Sequence, residues 1–127
     1  MKVILSGGGT GGHVYPAIAI ANKIKEYHPD AEILFVGTRA GIEAEIVPKY
    51  GYKIEYIDVQ GFRRKIDFDN VKRLIKFLKS LRDSKRIIKK FKPDLVIGTG
   101  GYVSGSVVLE ASKMGIKSCI HEQNSFP

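Results

Sequence analysis

Five short apolar runs alternate with helical patterns along this chain, and that alternation is the strongest constraint on its fold. Most of the runs are continuous stretches of Val, Ile and Leu, as strands buried on both faces must be. They cover residues 2–6, 32–36, 53–59, 95–99 and 117–121. The third run alternates apolar with polar residues, which predicts a strand at the edge of the sheet.

The segments between these runs carry the signals of helices, at residues 14–27, 41–50, 67–91 and 104–114. Pro16 stands near the start of the first helix, where a missing N–H does no harm. Pro93 ends the third, and Gly115 is placed to end the fourth in a left-handed conformation. Strands and helices alternating in this way predict an α/β, Rossmann-like, doubly wound parallel sheet.

Length and composition limit what else the chain can be. Its 127 residues suffice for one domain with a core. No apolar stretch approaches the roughly 18 residues of a membrane span, and the first residues lack a signal-peptide pattern, so we expect a cytoplasmic protein. The single cysteine, Cys119, lies in an apolar run, which predicts a buried and unreactive thiol. The chain stops at Pro127 directly after the fifth run, which does not resemble a natural terminus.

The positive charge is concentrated in one segment. The chain carries a net charge of +8, yet residues 63–92 hold thirteen Lys or Arg and three Asp, a net +10. A basic face of this kind indicates an anionic partner, which could be nucleic acid, a membrane surface or a phosphorylated substrate. The alternative is a solvated basic helix without a partner.

The loop after the first strand, residues 6–13, reads Ser-Gly-Gly-Gly-Thr-Gly-Gly-His. Missing Cβ atoms let backbone approach a ligand closely, and N–H groups at a helix N-terminus attract phosphate. Gly7, Gly9 and Gly12 also satisfy the dinucleotide pattern G-x-G-x-x-G. The acid expected after the second strand is absent, but Arg39 could meet a 2′-phosphate, so NADP binding is an alternative. A tight turn without a ligand is another.

Two further polar segments follow strands. Residues 98–105 form a second glycine-rich loop before a helix, and residues 121–124 read His-Glu-Gln-Asn. The strand order should reverse between the first and fourth strands, so the two glycine loops should face each other across a crevice. Two opposed sets of N–H groups suit a diphosphate. Each polar residue could instead cap a loop, and for Asn124 we weigh a cap and a ligand contact equally.

His13 is the only ionisable side chain in the first glycine loop. A neutral imidazole there can accept a proton as a general base, although a histidine that only caps or packs is the simpler alternative. We find no Cys/His spacing typical of a metal site, no nucleophile elbow and no lysine-ended P-loop.

The basic segment also carries more apolar residues than one core-facing stripe requires. Such a combination of basic and apolar groups is typical of a surface that binds an anionic membrane leaflet. Packing under a loop or against another domain is the alternative. The predicted membrane patch consists of Phe62, Arg64, Lys65, Lys72, Leu74, Lys76, Phe77 and Leu81.

Four segments together resemble the amino-terminal part of the MurG family of N-acetylglucosaminyltransferases. They are residues 7–17, 60–65, 100–105 and 121–124, in the family's order and spread over the whole chain. The resemblance implies the N-terminal, acceptor-binding domain of a two-domain enzyme of the glycosyltransferase-B type. Such an enzyme transfers GlcNAc from UDP-GlcNAc to the 4-hydroxyl of MurNAc in lipid I, which is undecaprenyl-diphospho-MurNAc-pentapeptide. The product is the peptidoglycan precursor lipid II, made with inversion and without a cofactor.

The resemblance also implies roles for individual residues. His13 would be the general base. The residues that would contact the donor are Thr10, Gly11, Gly12 and Asn124. Those that would hold the acceptor diphosphate are Gly8, Gly9, Gly100, Gly101, Tyr102 and Ser104, with Glu122 and Gln123 in support. The implied partners are UDP-GlcNAc, lipid I, the inner face of the bacterial cell membrane and a C-terminal donor domain, without a metal or nucleic acid.

This sequence departs from the family pattern because it ends at residue 127. We therefore expect the donor-binding domain to be absent, and we expect residues 1–127 alone not to transfer GlcNAc. Two alternatives remain: the acceptor-binding subunit of a split lipid-linked GlcNAc transferase, and an NADP-binding Rossmann domain.

Overall fold

The computed structural model describes residues 1–59 and 68–121, with the backbone alone at 68 and 69. Nine elements alternate along these described residues. They are β1 (Lys2–Gly7), α1 (Gly11–Tyr27), β2 (Glu32–Gly37), α2 (Glu43–Lys49), β3 (Lys53–Tyr56), α3 (Phe68–Phe91), β4 (Leu95–Gly100), α4 (Tyr102–Lys113) and β5 (Lys117–Ile120). Each predicted strand and helix is present.

The five strands form one parallel sheet in the order β3-β2-β1-β4-β5. The order reverses between β1 and β4, as predicted for a doubly wound sheet, and β3 lies at one edge as its alternating sequence indicates. Gly115 has φ +74, which confirms the left-handed end predicted after α4.

The sheet buries apolar side chains on both faces. Val3 and Leu5 of β1 join a cluster with Val14 and Ile18 of α1. Successive side chains of a strand point to opposite faces, and Ile4 accordingly joins a second cluster. That cluster also contains the apolar residues Ile88 of α3, Val96 of β4, and Val103 and Val107 of α4.

Two expectations need correction. Cys119 is exposed rather than buried, because β5 is an edge strand that pairs with β4 on one side alone among the described strands. The third strand ends at Tyr56, although the predicted run continued to residue 59. Ile57 and Val59 are nevertheless buried, so their apolar character reflects packing in a loop rather than pairing in the sheet.

Candidate functional site

The two glycine loops meet where β1 and β4 lie side by side. The N–H of Gly8 donates to the carbonyl of Gly100 at 3.2 Å, which ties the first loop directly to the second. The helices α1 and α4 begin at these loops, so their N-terminal ends both lie at the carboxyl edge of the sheet. Helix N-termini attract anionic groups, so this edge is suited to a phosphate-bearing ligand.

His13 lies in the first turn of α1, between the two loops, and is half-buried. Its backbone carbonyl accepts a hydrogen bond from Thr99 Oγ1 at 2.6 Å, which fixes the helix to β4. Its Nδ1 lies 2.9 Å from the carbonyl oxygen of Gly8 and 3.4 Å from Thr10 Oγ1. A carbonyl oxygen only accepts, so Nδ1 carries the proton in the Gly8 bond, and in the neutral ring Nε2 then carries the lone pair. The ring can therefore accept a proton at Nε2.

The glycines of the second loop make room for the first. Gly100 has φ +121, and a Cβ there would collide with the imidazole of His13 and lie 2.9 Å from its Nε2. Gly101 has φ +90, and a Cβ there would lie 2.5 Å from the carbonyl oxygen of Gly8. These two glycines are thus required by the contact between the loops, whatever ligand binds.

The structure places the residues predicted to contact ligands in different surroundings. Thr10 and Gly12 are exposed at the start of α1, and Gly11 is partly exposed. Tyr102 is 57% exposed at the start of α4. Ser104 is buried instead, and a Cβ on Gly98 of β4 would collide with its hydroxyl.

Two predicted phosphate ligands already use their N–H groups within the protein. Gly8 donates to Gly100 and Gly9 donates to the carboxylate of Glu43. A diphosphate would therefore meet other donors at the two helix ends. The predicted residues Glu122, Gln123 and Asn124 lie outside the described residues, as do Phe62, Arg64 and Lys65 of the predicted membrane patch.

Glu43 also belongs to the candidate site, and the sequence did not predict it. Its side chain is 1% exposed and lies beneath the first glycine loop. The carboxylate accepts hydrogen bonds from the N–H of Gly9 at 3.1 Å and from the N–H and hydroxyl of Thr38 at 2.8 and 3.1 Å. The sequence feature that could have indicated Glu43 is an acid in the first turn of a short helix, a few residues after Gly37 and Gly41.

Other parts of the described surface are less suited to binding a phosphate-bearing ligand. A groove of about 830 Å³ lies at the amino ends of β2 and β3 and is lined in part by Lys25, Glu32, Tyr52 and Phe91. Doubly wound sheets bind ligands at the opposite, carboxyl edge, so we place the site at the glycine loops. Among residues 1–59 and 68–121, no three His, Cys, Asp or Glu side chains come together as a metal site.

One face of α3 is apolar and exposed. Val71, Leu74, Ile75 and Leu78 are each 47–59% exposed and follow the spacing of one helical face. Phe77 of the predicted membrane patch packs against the core instead, and Leu81 is half-buried. Of the predicted basic residues, Lys72 is exposed and Lys76 lies 3.9 Å from Asp58. None of the helices in the described part of the chain has the length and apolarity needed to span a membrane.

These features define a class of protein: a doubly wound α/β domain whose candidate site is formed by two joined glycine loops and a histidine at the carboxyl edge. The glycosyltransferase family 28 N-terminal domain matches residues 3–127, and the chain belongs to this family.

Similar sequences agree with this assignment. The chain is 71% identical over its whole length to the UDP-N-acetylglucosamine–N-acetylmuramyl-(pentapeptide) pyrophosphoryl-undecaprenol N-acetylglucosamine transferase of Clostridioides difficile, of which it covers 31%. It is 55% identical over its whole length to the protein of the same name in Bacillus cytotoxicus, of which it covers 35%. The chain thus spans about a third of the curated relatives it matches.

Solved structures give the same result. The crystal structure of MurG from Acinetobacter baumannii matches with a TM-score of 0.83 and 35% identity, covering 98% of this chain and 36% of that one. The resemblance to the MurG family is confirmed. A UDP-GlcNAc 2-epimerase from Neisseria meningitidis, at 15% identity and a TM-score of 0.62 over 94% of this chain and 32% of that one, shares the fold alone. Membership of a glycosyltransferase family argues against the NADP alternative, and Arg39 stacks on the ring of Tyr56 at 4.5 Å.

Proposed function

We propose that this chain is the acceptor-binding part of an enzyme that transfers GlcNAc from UDP-GlcNAc to lipid I, giving lipid II for peptidoglycan. The observation that carries the proposal is the placement of His13 between the two glycine loops, with Nδ1 held by the Gly8 carbonyl and Nε2 left to accept a proton. The names of the relatives and the family support the substrates.

In the proposed reaction, His13 Nε2 takes the proton of the MurNAc 4-hydroxyl as that oxygen attacks C1 of GlcNAc. The new bond joins O4 to C1, and the bond from C1 to the UDP oxygen breaks on the opposite face. UDP leaves with the electron pair, and the configuration at C1 inverts. A positioned general base typically contributes about 10²–10⁴-fold to the rate.

The acceptor diphosphate would lie at the N-terminal ends of α1 and α4. Gly8 and Gly9 would contribute by their lack of a side chain, because their N–H groups are bonded within the protein. Gly100, Gly101 and the exposed Tyr102 would border the diphosphate from the second loop. Ser104 is buried, so its hydroxyl would support the loop rather than contact the ligand.

The donor would reach this site from a C-terminal domain. Thr10, Gly11 and Gly12 lie at the open end of α1 and would contact it there, together with Asn124. The relatives are about three times as long as this chain, so we expect the remaining uridine contacts to come from sequence beyond these residues. That domain could be fused or, as in a split enzyme, supplied by another chain.

A transfer assay tests the proposal. The chain would be joined to the remaining C-terminal part of its C. difficile relative and supplied with UDP-GlcNAc and a lipid I analogue. His13→Ala should lower kcat by about 10²–10⁴-fold, whereas His28→Ala, at the exposed far end of α1, should leave kcat unchanged. Residues 1–127 alone should show no transfer. Full turnover by His13→Ala, or transfer by residues 1–127 alone, would refute the assignment.

We also propose that the exposed face of α3 rests on the inner leaflet of the cell membrane, which would make the enzyme peripheral and cytoplasmic. Val71, Leu74, Ile75 and Leu78 are exposed there, beside the basic residues Lys72, Lys76 and Lys79. Apolar area together with cationic groups is what binding to an anionic surface requires, at about 1 kcal/mol per basic residue. The proposed acceptor is itself a membrane lipid.

Vesicle co-sedimentation tests this contact. We expect binding to phosphatidylglycerol vesicles, weak binding to neutral vesicles and release in high salt. Changing Ile75 and Leu78 to Ser should abolish binding. Changing Lys85 and Arg86 to Glu, at exposed positions about two turns beyond Leu78 along α3, should weaken binding much less. Binding that survives the two Ser substitutions but is lost on the two Glu substitutions would indicate attraction by charge alone.

A further inference from the structure

The buried carboxylate of Glu43 fits into the fold only because the residues that surround it closely are glycines. A Cβ added to Gly8, Gly37 or Gly41 would collide with this side chain, and these glycines come from the first glycine loop and from the end of β2 and its connection to α2. The carboxylate accepts three hydrogen bonds, two from Thr38 and one from the N–H of Gly9. The fold therefore holds a charged group against the underside of the loop that carries the proposed chemistry.

One peptide unit connects this carboxylate to the histidine. The peptide between Gly8 and Gly9 donates its N–H to Glu43 Oε1 at 3.1 Å, and its carbonyl oxygen accepts from His13 Nδ1 at 2.9 Å. Hydrogen bonds in a chain polarise one another, so an acceptor with a negative charge at the N–H strengthens the carbonyl at the other end as an acceptor. The carboxylate and the imidazole thus interact without touching.

The consequence concerns which ring nitrogen of His13 carries the proton. A stronger and fixed acceptor at Gly8 favours the tautomer with the proton on Nδ1, and that tautomer leaves Nε2 unprotonated. In metal sites, hydrogen-bond partners behind a histidine fix its tautomer and orientation in the same way. Thr10 Oγ1, at 3.4 Å from Nδ1, is the longer contact.

We propose that Glu43 is a positioning residue that holds His13 in the Nδ1-protonated tautomer by acting through the Gly8–Gly9 peptide. The use of that tautomer in catalysis rests on the proposed function, but the tautomer itself is a property of this chain. The simpler alternative is that Glu43 only ties the first glycine loop to the segment before α2.

Nitrogen-15 NMR of the imidazole rings in the 127-residue chain distinguishes the two, at about pH 8.5, where an ordinary imidazole is neutral. The chain has three histidines, and His13→Gln assigns the signal. In the wild type, His13 should carry its proton predominantly on Nδ1. Glu43→Gln keeps the size of the side chain and removes its charge, and should shift the population toward Nε2. Thr38→Val is the control, because it removes the hydroxyl bond to the carboxylate, together with the bond that the hydroxyl accepts from the Gly41 N–H, and leaves the Gly9 bond in place.

Two results would overturn the proposal: a wild-type His13 protonated mainly on Nε2, or an unchanged tautomer ratio in a folded Glu43→Gln variant. The wild-type measurement decides even if the variant does not fold. In the joined enzyme, Glu43→Gln should lower kcat by about 10- to 100-fold, as loss of such histidine partners does elsewhere, with little change in KM for UDP-GlcNAc. Absence of transfer by the joined wild-type enzyme would count against the proposed function and leave the tautomer result standing.

Discussion

Replacement of Gly100 by Ala tests whether the position of the His13 ring matters for the reaction. The new Cβ would lie 2.9 Å from Nε2 and closer still to Cδ2. Ordinary contact between such atoms is about 3.5 Å or more, so the ring must move by roughly 1 Å to relieve the contact with Cδ2. A misplacement of about 1 Å typically lowers a rate by about 10²-fold, and we expect a loss of that order in kcat.

The same substitution also strains the backbone, since Gly100 has φ +121. A residue in such a region costs about 1–3 kcal/mol in the free energy of unfolding. Two matched variants separate the effect of backbone strain from the effect of the collision with the His13 ring. Gly115→Ala introduces a Cβ at φ +74 into open space, and Gly105→Ala introduces one within α4, also into open space. The first should destabilise by about 1–2 kcal/mol, and the second should stabilise by about 0.5–1 kcal/mol.

Urea unfolding gives the stabilities, and the transfer assay on the joined enzyme gives kcat. We expect Gly100→Ala to lose both stability and turnover, and Gly115→Ala to lose stability alone. If Gly100→Ala is destabilised like Gly115→Ala yet turns over at the wild-type rate, the imidazole is not where the chemistry occurs.

Three further perturbations have expected outcomes. Thr99→Val removes the hydroxyl that bonds the His13 carbonyl at 2.6 Å and should lower the free energy of unfolding by about 1 kcal/mol in urea titrations. Gly12→Val adds bulk at an exposed position, so it should weaken UDP-GlcNAc binding in calorimetry while the circular dichroism spectrum stays unchanged. Burial raises the pKa of Tyr52 above its usual value of 10.0. The protonated Tyr52 side chain therefore contributes fully to the free energy of unfolding below pH 10, and this contribution is lost as the pH rises through the raised pKa. Tyr52→Phe should remove that alkaline loss in unfolding experiments, and an unchanged pH profile would contradict it.

The sequence predicted the fold well because the relevant signals are local. Apolar runs of strand length, Pro93 and Gly115 identify elements without knowledge of their neighbours. The helix starts were placed two or three residues late at α1 and α4, where glycines continue into the first turn. A glycine is a poor helix former, so local propensity favours a loop there.

The site was only partly predictable, for a different reason. His13 stands out because it is ionisable in a glycine loop, but the role proposed for Glu43 depends on a bond to Gly9, 34 residues away. That contact exists only because β1 and β2 pair in parallel and bring their following loops together. The prediction that Cys119 is buried was wrong, because an apolar run does not reveal whether another segment covers an edge strand.

The exposed position of Cys119 on the open edge strand gives the chain a single chemical handle. It is the one thiol among 127 residues, so a maleimide dye attaches at one defined point without mutagenesis. The neighbouring Ile120 is 72% exposed, which leaves a dye there sensitive to the arrival of any protein surface. A labelled chain would therefore report association with a C-terminal partner through protection of the thiol or a change in dye emission, before any sugar is transferred.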